Sequence, residues 1–176
     1  MKQKTGFTIV ELVVVIVIIA ILASITLFSY VNIARDTRDT ERRTNAETIA
    51  LALGSWARDT SKTPIQTNTG LNGAGEGWLR ATETGYSNNI EALLISGDYL
   101  KKPLTAPGAS STNNGFAFFA CNRTNASETR YGVFTRLENP TAKDTADRTE
   151  WSASCNAQPL NAPYSANYVR IFQFRQ

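Results

Sequence analysis

One side chain that enzymes commonly use for acid–base catalysis is missing from this sequence. Its 176 residues include no histidine, which excludes His-based metal sites, Ser/His and Cys/His nucleophile pairs and acid–base catalysis by imidazole. The glycine-rich stretch at residues 71–77 lacks the Gly-Lys-Ser/Thr ending of a phosphate-binding loop. We therefore predict that the chain is not an enzyme, has no catalytic residue and no metal site, and binds no cofactor or nucleotide directly.

One carboxylate occupies a position that needs a chemical explanation. Glu11 is the single charged residue in the 25 residues from Phe7 to Val31. An ionised carboxylate costs about 2.5–3.5 kcal/mol near the centre of a transmembrane helix, and less near its end. Either Glu11 lies close enough to the membrane surface to reach water, or its charge has a role that a plain membrane anchor does not require.

The apolar run is the element that must position Glu11. As a helix, 25 residues span roughly 37 Å, which is enough to cross a hydrocarbon layer of about 30 Å with some tilt. Lys2 and Lys4 precede the run, so the positive-inside rule keeps the short N-terminus in the cytoplasm. A secretory signal, which needs a shorter run and a small-x-small cleavage site, and an uncleaved signal anchor are two interpretations. A membrane-tethered extracytoplasmic binding domain is the corresponding functional alternative.

A third interpretation depends on the residues around Phe7. A short basic leader ends in Gly6, and the sequence FTIVEL at residues 7–12 opens the apolar run directly. This arrangement resembles the prepilin leader of the type IV pilin family, which includes the related pseudopilins. The resemblance implies cleavage between Gly6 and Phe7 by a prepilin peptidase, followed by N-methylation of Phe7. It also implies that Glu11 pairs with the Phe7 amine of a neighbouring subunit during assembly.

The resemblance implies a structural role for the protein. The prepilin would wait in the inner membrane and then join a homo-oligomeric helical filament, a pilus on the cell surface, with an inner-membrane assembly platform as a further partner. Adhesion, twitching motility or DNA uptake would belong to the filament as a whole. A pseudopilin of a type II secretion or competence system is the alternative within the family. DNA binding has no support from bulk charge, because removal of Lys2 and Lys4 with the leader would leave a net charge of +1.

Helical character is predicted to continue beyond the apolar run. Ala46, Ile49, Ala50, Leu53 and Ala57 recur at helical spacing and form a stripe that should pack on a sheet. The mixed charges at residues 35–43, before this stripe, are typical of a solvated helix face, and contacts between stacked subunits are the alternative. We predict a helix that ends near residue 60, and four segments along the chain: a cleaved leader at 1–6, a transmembrane and filament-core half of the helix at 7–31, an amphipathic half at 32–60, and a globular head at 61–176.

The head is predicted to contain a small antiparallel sheet. A short helix is expected from Asn89 to a stop at Gly97. Strands are expected at residues 115–122, 130–137 and 167–174, and their connection by loops favours an antiparallel meander. One face should pack on the helical stripe through part of the set Phe116, Phe118, Val133, Val169 and Ile171. The predicted fold class is α+β, with a long N-terminal helix packed on this sheet in the manner of the pilin fold.

Cys121 and Cys155 are the two cysteines of the chain. Beyond an oxidising membrane face we expect them to form a disulfide, and free thiols are the alternative. The bond would pin residues 138–159, which lack apolar periodicity and are predicted to be irregular. Within this segment, residues 144–150 are expected to form a solvated charged loop rather than a calcium site, because the spacing of an EF-hand is missing.

Overall fold

The computed structural model describes residues 6–62, 77–80, 90–110, 112–121, 130–155 and 168–175. By contacts the chain divides into two compact units, Met1–Thr37 and Arg38–Gln176. The predicted α+β layout is confirmed, because a long N-terminal helix is followed by a small antiparallel sheet. Three helices and four strands are present in the described residues: α1 (Ile9–Thr60), β1 (Gly77–Trp78), α2 (Ile90–Ser96), β2 (Phe116–Ala120), β3 (Arg130–Arg136), α3 (Ala142–Ser154) and β4 (Tyr168–Arg175).

The second half of α1 packs on the head through the predicted stripe. All five of its residues are at most 1% exposed, and they share one cluster with side chains of α2 and the sheet. Phe116, Phe118 and Val133 of the sheet contribute to the same cluster. The helix ends at Thr60, as predicted, and Ser61 follows with a left-handed φ of 54°.

The sheet is an antiparallel meander in the order β1-β2-β3-β4. The three predicted strands are confirmed, and Phe118 lies opposite Val133 in the β2–β3 register. Val169 is fully buried, whereas the Ile171 side chain lies outside the described part of the chain. Strand β1 was missed because two residues are too few to show an alternating pattern. Its Trp78 is 5% exposed and pairs with Ala117.

The turn into β2 contains a glycine that the fold requires. Gly115 has a φ of +78°, and a Cβ there would lie 2.7 Å from the Ala106 Cβ and 3.1 Å from the Ala109 Cβ. Both the backbone conformation and the lack of space disfavour a side chain.

We expect Gly115→Ala to lower the free energy of unfolding of the full chain by about 2–3 kcal/mol in a urea titration. Gly108→Ala is a matched control, since Gly108 has a φ of +72° but a Cβ there meets one atom, at 3.5 Å. That control should cost only about 1 kcal/mol. Equal losses in the two variants would contradict the clash with Ala106.

The prediction of an irregular segment at residues 138–159 is wrong over most of its described length. Residues Ala142–Ser154 form α3, and so the residues expected to be a charged loop are helical. The helix begins with a capping box in which the Thr141 hydroxyl accepts from the Asp144 amide and the Asp144 carboxylate accepts from Thr141. Apolar periodicity could not reveal this helix, because Asp144 and Trp151 are its only buried residues.

Arg38 and Arg43 belong to the run of mixed charges that was predicted to be a solvated face of α1, but both are paired with acids of the head. This corrects a second prediction. Arg38 binds both carboxylate oxygens of Glu138 at 2.8 and 2.7 Å. Arg43 binds both carboxylate oxygens of Asp144 at 2.7 and 2.6 Å. These arginines of α1 therefore pair with acids about a hundred residues later in the chain, and they join α1 to the segment that carries α3.

These pairs predict a dependence of stability on pH. The guanidinium of Arg38, and then that of Arg42, lowers the pKa of Glu138 from its ordinary value of 4.5 to about 2. Because the folded pKa is below the unfolded one, this stabilisation is complete above about pH 4.5 and is lost as the pH falls toward 2. In thermal unfolding from pH 7 to pH 2, Glu138→Gln should be less stable than the wild type near neutrality, with a gap that narrows below pH 4.5. A gap that stays constant over that range would contradict the pairing.

Candidate processing and assembly site

The Gly6–Phe7 bond lies in an accessible, non-helical segment just before α1. Residues 6–8 have no helix or strand assignment, and α1 begins at Ile9. Nothing lies within 4 Å of the position that a Cβ would take at Gly6, and Phe7 is 82% exposed. A peptidase cleft can therefore close on the backbone here without meeting a side chain at Gly6.

Glu11 closes a capping box at the start of α1. Its Oε2 atom accepts from the Thr8 backbone N–H at 2.9 Å and from the Thr8 hydroxyl at 2.8 Å. In return, the Glu11 amide donates to the Thr8 hydroxyl at 3.3 Å. The spacing Thr-x-x-Glu before an apolar run is the sequence signature of this motif. Thr8 is therefore a residue of the site that sequence reasoning missed, although the signal was present.

The structure brings Glu11 to Thr8 rather than to a charged amine. The Phe7 nitrogen belongs to a peptide bond with Gly6, so it carries no positive charge in this chain. The acid in the first turn also faces the partial positive charge of the helix N-terminus. Both interactions stabilise the carboxylate at this end of an apolar helix.

The helix that follows is long and apolar enough to cross a membrane. Its most apolar 18-residue window has no buried residue within the protein. Large aliphatic side chains are exposed along it from Ile9 to Ile33, with exposed fractions from 43% to 82%. This surface needs lipid or other protein to cover it, because contiguous apolar area of this size is unfavourable in water.

The predicted disulfide is confirmed. Cys121 at the end of β2 is bonded to Cys155 at the C-cap of α3, with a Cα–Cα distance of 4.4 Å, and the chain has no free cysteine. Both cysteines are buried, and they share a small cluster with Phe134 and Trp151. The bond therefore fixes the C-terminal end of α3 to the sheet, while Arg43 holds Asp144 near its N-terminal end.

The described residues contain no group of three or more Cys, Asp or Glu side chains that could hold a metal ion. Asp144, which begins the stretch considered for calcium, is 6% exposed and bound to Arg43. Hydrogen bonds from Arg43, and then from Thr141, lower the pKa of the Asp144 carboxyl. These bonds leave Asp144 poorly available to a cation.

Residues 1–27 match the family model for the prokaryotic N-terminal methylation motif. The chain carries this methylation motif. The match covers Gly6, Phe7, Thr8 and Glu11, and so it includes every N-terminal residue of the site described above. No curated protein and no solved structure matches the chain.

The methylation motif is a class III signal and is consistent with a type IV pilin-like prepilin. Such a leader implies processing by a prepilin peptidase and assembly from the membrane. Together with the apolar helix, it indicates a membrane-anchored prepilin of the pilin-like or pseudopilin kind. The long helix and antiparallel sheet have the pilin-like layout that goes with this motif.

Proposed function

We propose that the chain is the structural subunit of a type IV pilus. The observation that carries the proposal is the methylation motif at residues 1–27, continued by an apolar helix whose surface the protein itself leaves uncovered. In this proposal residues 1–6 are the cleaved leader, 7–31 anchor the prepilin and later form the filament core, and 32–60 hold the head at 61–176. The head carries no catalytic task.

Assembly is proposed to depend on Glu11 and Phe7. Cleavage after Gly6 creates an amine on Phe7, and methylation keeps this amine charged. In a filament core, an unpaired carboxylate or ammonium is unfavourable by several kcal/mol, and pairing the two charges between neighbouring subunits removes that cost. Both Thr8 bonds go to Oε2 of Glu11, which leaves Oε1 as the oxygen that an incoming amine can approach. The pair would fix the stagger between subunits.

The proposed route begins in the inner membrane and ends on the cell surface. The prepilin peptidase cuts on the cytoplasmic side, and an inner-membrane platform extracts the subunit into a homo-oligomeric helical filament. Adhesion, twitching motility and DNA uptake are functions of such a filament and are not assigned to a site in this chain. A pseudopilin would share the processing but would form no long surface fibre, so loss of surface fibres on deletion of the gene distinguishes the two.

The processing step is tested by intact mass and N-terminal sequencing of the protein purified from membranes. We expect the mature chain to begin at Phe7 and to be heavier than the unmodified form by one methyl group, about 14 Da. Gly6→Val should retain Met1, because a β-branched side chain fills the space that the cleft needs. A wild-type protein that keeps Met1 would contradict the proposal and favour a tethered binding domain.

The role of Glu11 is tested with two substitutions that separate charge from capping. Glu11→Gln keeps the capping box, since glutamine replaces glutamate in that motif, but removes the charge. We expect Glu11→Gln and Glu11→Ala to reduce sheared filaments to a similar low level while both proteins remain in the membrane. Normal filaments from Glu11→Gln would show that Glu11 acts as a cap and not as the partner of a neighbouring amine.

A further inference from the structure

Thr8 determines where helix α1 begins. Its backbone carbonyl accepts from the Leu12 N–H at 3.2 Å, and the helical hydrogen-bond ladder opens with this bond. In a helix that began one residue earlier, the Glu11 N–H would donate to the Phe7 carbonyl. Here the Glu11 N–H donates to the Thr8 hydroxyl at 3.3 Å. The hydroxyl therefore takes the place of the Phe7 carbonyl, and the ladder stops short of Phe7.

The side chain of Glu11 holds Thr8 in this arrangement. Its Oε2 atom accepts from both the backbone N–H and the hydroxyl of Thr8, at 2.9 and 2.8 Å. A capping box of this kind fixes Thr8 at the non-helical N-cap position. The Gly6–Phe7 bond then lies outside α1, with the whole of Phe7 between this bond and the N-cap residue.

Hydrolysis of the Gly6–Phe7 bond needs backbone that is not already part of the helix. Water adds its hydroxyl to the Gly6 carbonyl carbon and supplies a proton to the Phe7 nitrogen as the C–N bond breaks. A cleft that positions this bond must bind backbone on both of its sides, and the nearest carbonyls are those of Gly6 and Phe7. A carbonyl inside a helix is instead paired with the N–H four residues later.

We propose that Thr8 is a positioning residue for removal of the leader. Its cap keeps the Phe7 carbonyl out of α1, and so the Gly6–Phe7 bond is presented to the peptidase with free backbone on both sides. Phe7 is 82% exposed and nothing lies within 4 Å of a Cβ at Gly6, so the cleft can reach this backbone. The inference rests on the processing proposed above and adds the residue that keeps the scissile bond apart from the helix.

The test measures how fast the leader is removed from the full-length chain. Wild type and variants, produced without prepilin peptidase and present in equal amounts in membranes, are mixed with membranes that contain the peptidase and followed by intact mass. Thr8→Val is close in shape to threonine but has no hydroxyl, so it should be cut about fivefold more slowly, as expected for the loss of an ordinary cap. Thr8→Ser keeps the hydroxyl and should stay within about twofold of the wild type.

Thr26→Val is the matched control within the same apolar helix. The Thr26 hydroxyl lies inside α1 and donates to the Leu22 carbonyl at 2.7 Å. This variant loses a hydroxyl at a similar exposed position without changing where the helix begins, and so it should be cut within about twofold of the wild-type rate.

Thr8→Asn separates a cap from direct recognition of the hydroxyl by the peptidase. Asparagine caps helices through its side-chain oxygen but has no hydroxyl, so cleavage should stay within about twofold of the wild type. Slow cleavage of Thr8→Asn beside normal cleavage of Thr8→Ser would overturn the positioning role, because the peptidase would then bind the hydroxyl itself. Wild-type rates from Thr8→Val would also overturn it, while the proposed processing would stand. A wild-type chain that keeps Met1 in the presence of the peptidase would overturn both.

Discussion

Replacing Asp39 by alanine is expected to lower the free energy of unfolding of the full chain by about 3–5 kcal/mol. The Asp39 carboxylate is 5% exposed and accepts four hydrogen bonds. Arg42 Nη1 donates at 2.6 Å, the Glu138 backbone N–H donates to both oxygens at 2.9 and 3.1 Å, and the Asn139 N–H donates at 2.8 Å. One side chain of α1 therefore satisfies the backbone of the turn that leads into α3.

The loss is expected to be large because Arg42, one of the partners of Asp39, is buried and cannot easily reach water. The Arg42 side chain is 8% exposed, and among the described residues it would keep Glu138 and the Pro107 carbonyl as partners. A buried guanidinium that loses one of its two carboxylates costs more than a surface charge that loses its partner. Asp39→Asn, which keeps an oxygen acceptor for the backbone amides, should fall between alanine and the wild type.

Urea unfolding of the detergent-solubilised chain, followed by tryptophan fluorescence, measures this effect. All three tryptophans, Trp56, Trp78 and Trp151, are buried in the second unit and report on its unfolding. Glu41→Ala is the matched control, because Glu41 is an exposed acid on the same helix, and it should change stability by less than about 0.5 kcal/mol. A loss below 1 kcal/mol for Asp39→Ala would show that the turn at Glu138 finds other partners.

Removal of the disulfide is expected to cost about 3–4 kcal/mol, because the bond closes a loop of 34 residues. The loss should be concentrated in α3, since this helix buries only Asp144 and Trp151. Without the bond, its C-terminal end would keep the contacts of Trp151 with Phe134 and Arg170. We expect the amides of α3 in the Cys121→Ser/Cys155→Ser double variant to exchange with solvent much faster than those of β2 and β3.

Hydrogen exchange by mass spectrometry, with peptides that resolve α3 from the strands, tests this expectation. Wild-type protein reduced with dithiothreitol should reproduce the pattern of the double variant, which separates loss of the bond from the effect of the serines. Equal protection of α3 with and without the disulfide would show that Arg43 and Trp151 are sufficient to hold the helix.

The sequence alone determined the features that depend on local pattern. The leader and the apolar run were predictable from local composition, and the stripe from Ala46 to Ala57 was predictable from its helical spacing. The three longer strands were predictable from their aromatic and β-branched residues. The disulfide was predictable because the chain contains only two cysteines. The Thr8–Glu11 capping box was equally local and was missed only because Glu11 was considered as a charge and not as a cap.

Tertiary structure alone decided which partners the charges of α1 would take. Local spacing suggested a solvated face around residues 35–43, but Arg38, Asp39, Arg42 and Arg43 bind groups from Pro107 to Asp144. The sequence pattern also did not predict helix α3. This helix is stabilised by a cap, an ion pair and a disulfide rather than by an apolar stripe. Apolar periodicity can be read from residues that are close in sequence. The partner of a charged side chain can come from any part of the chain that lies nearby in the folded protein.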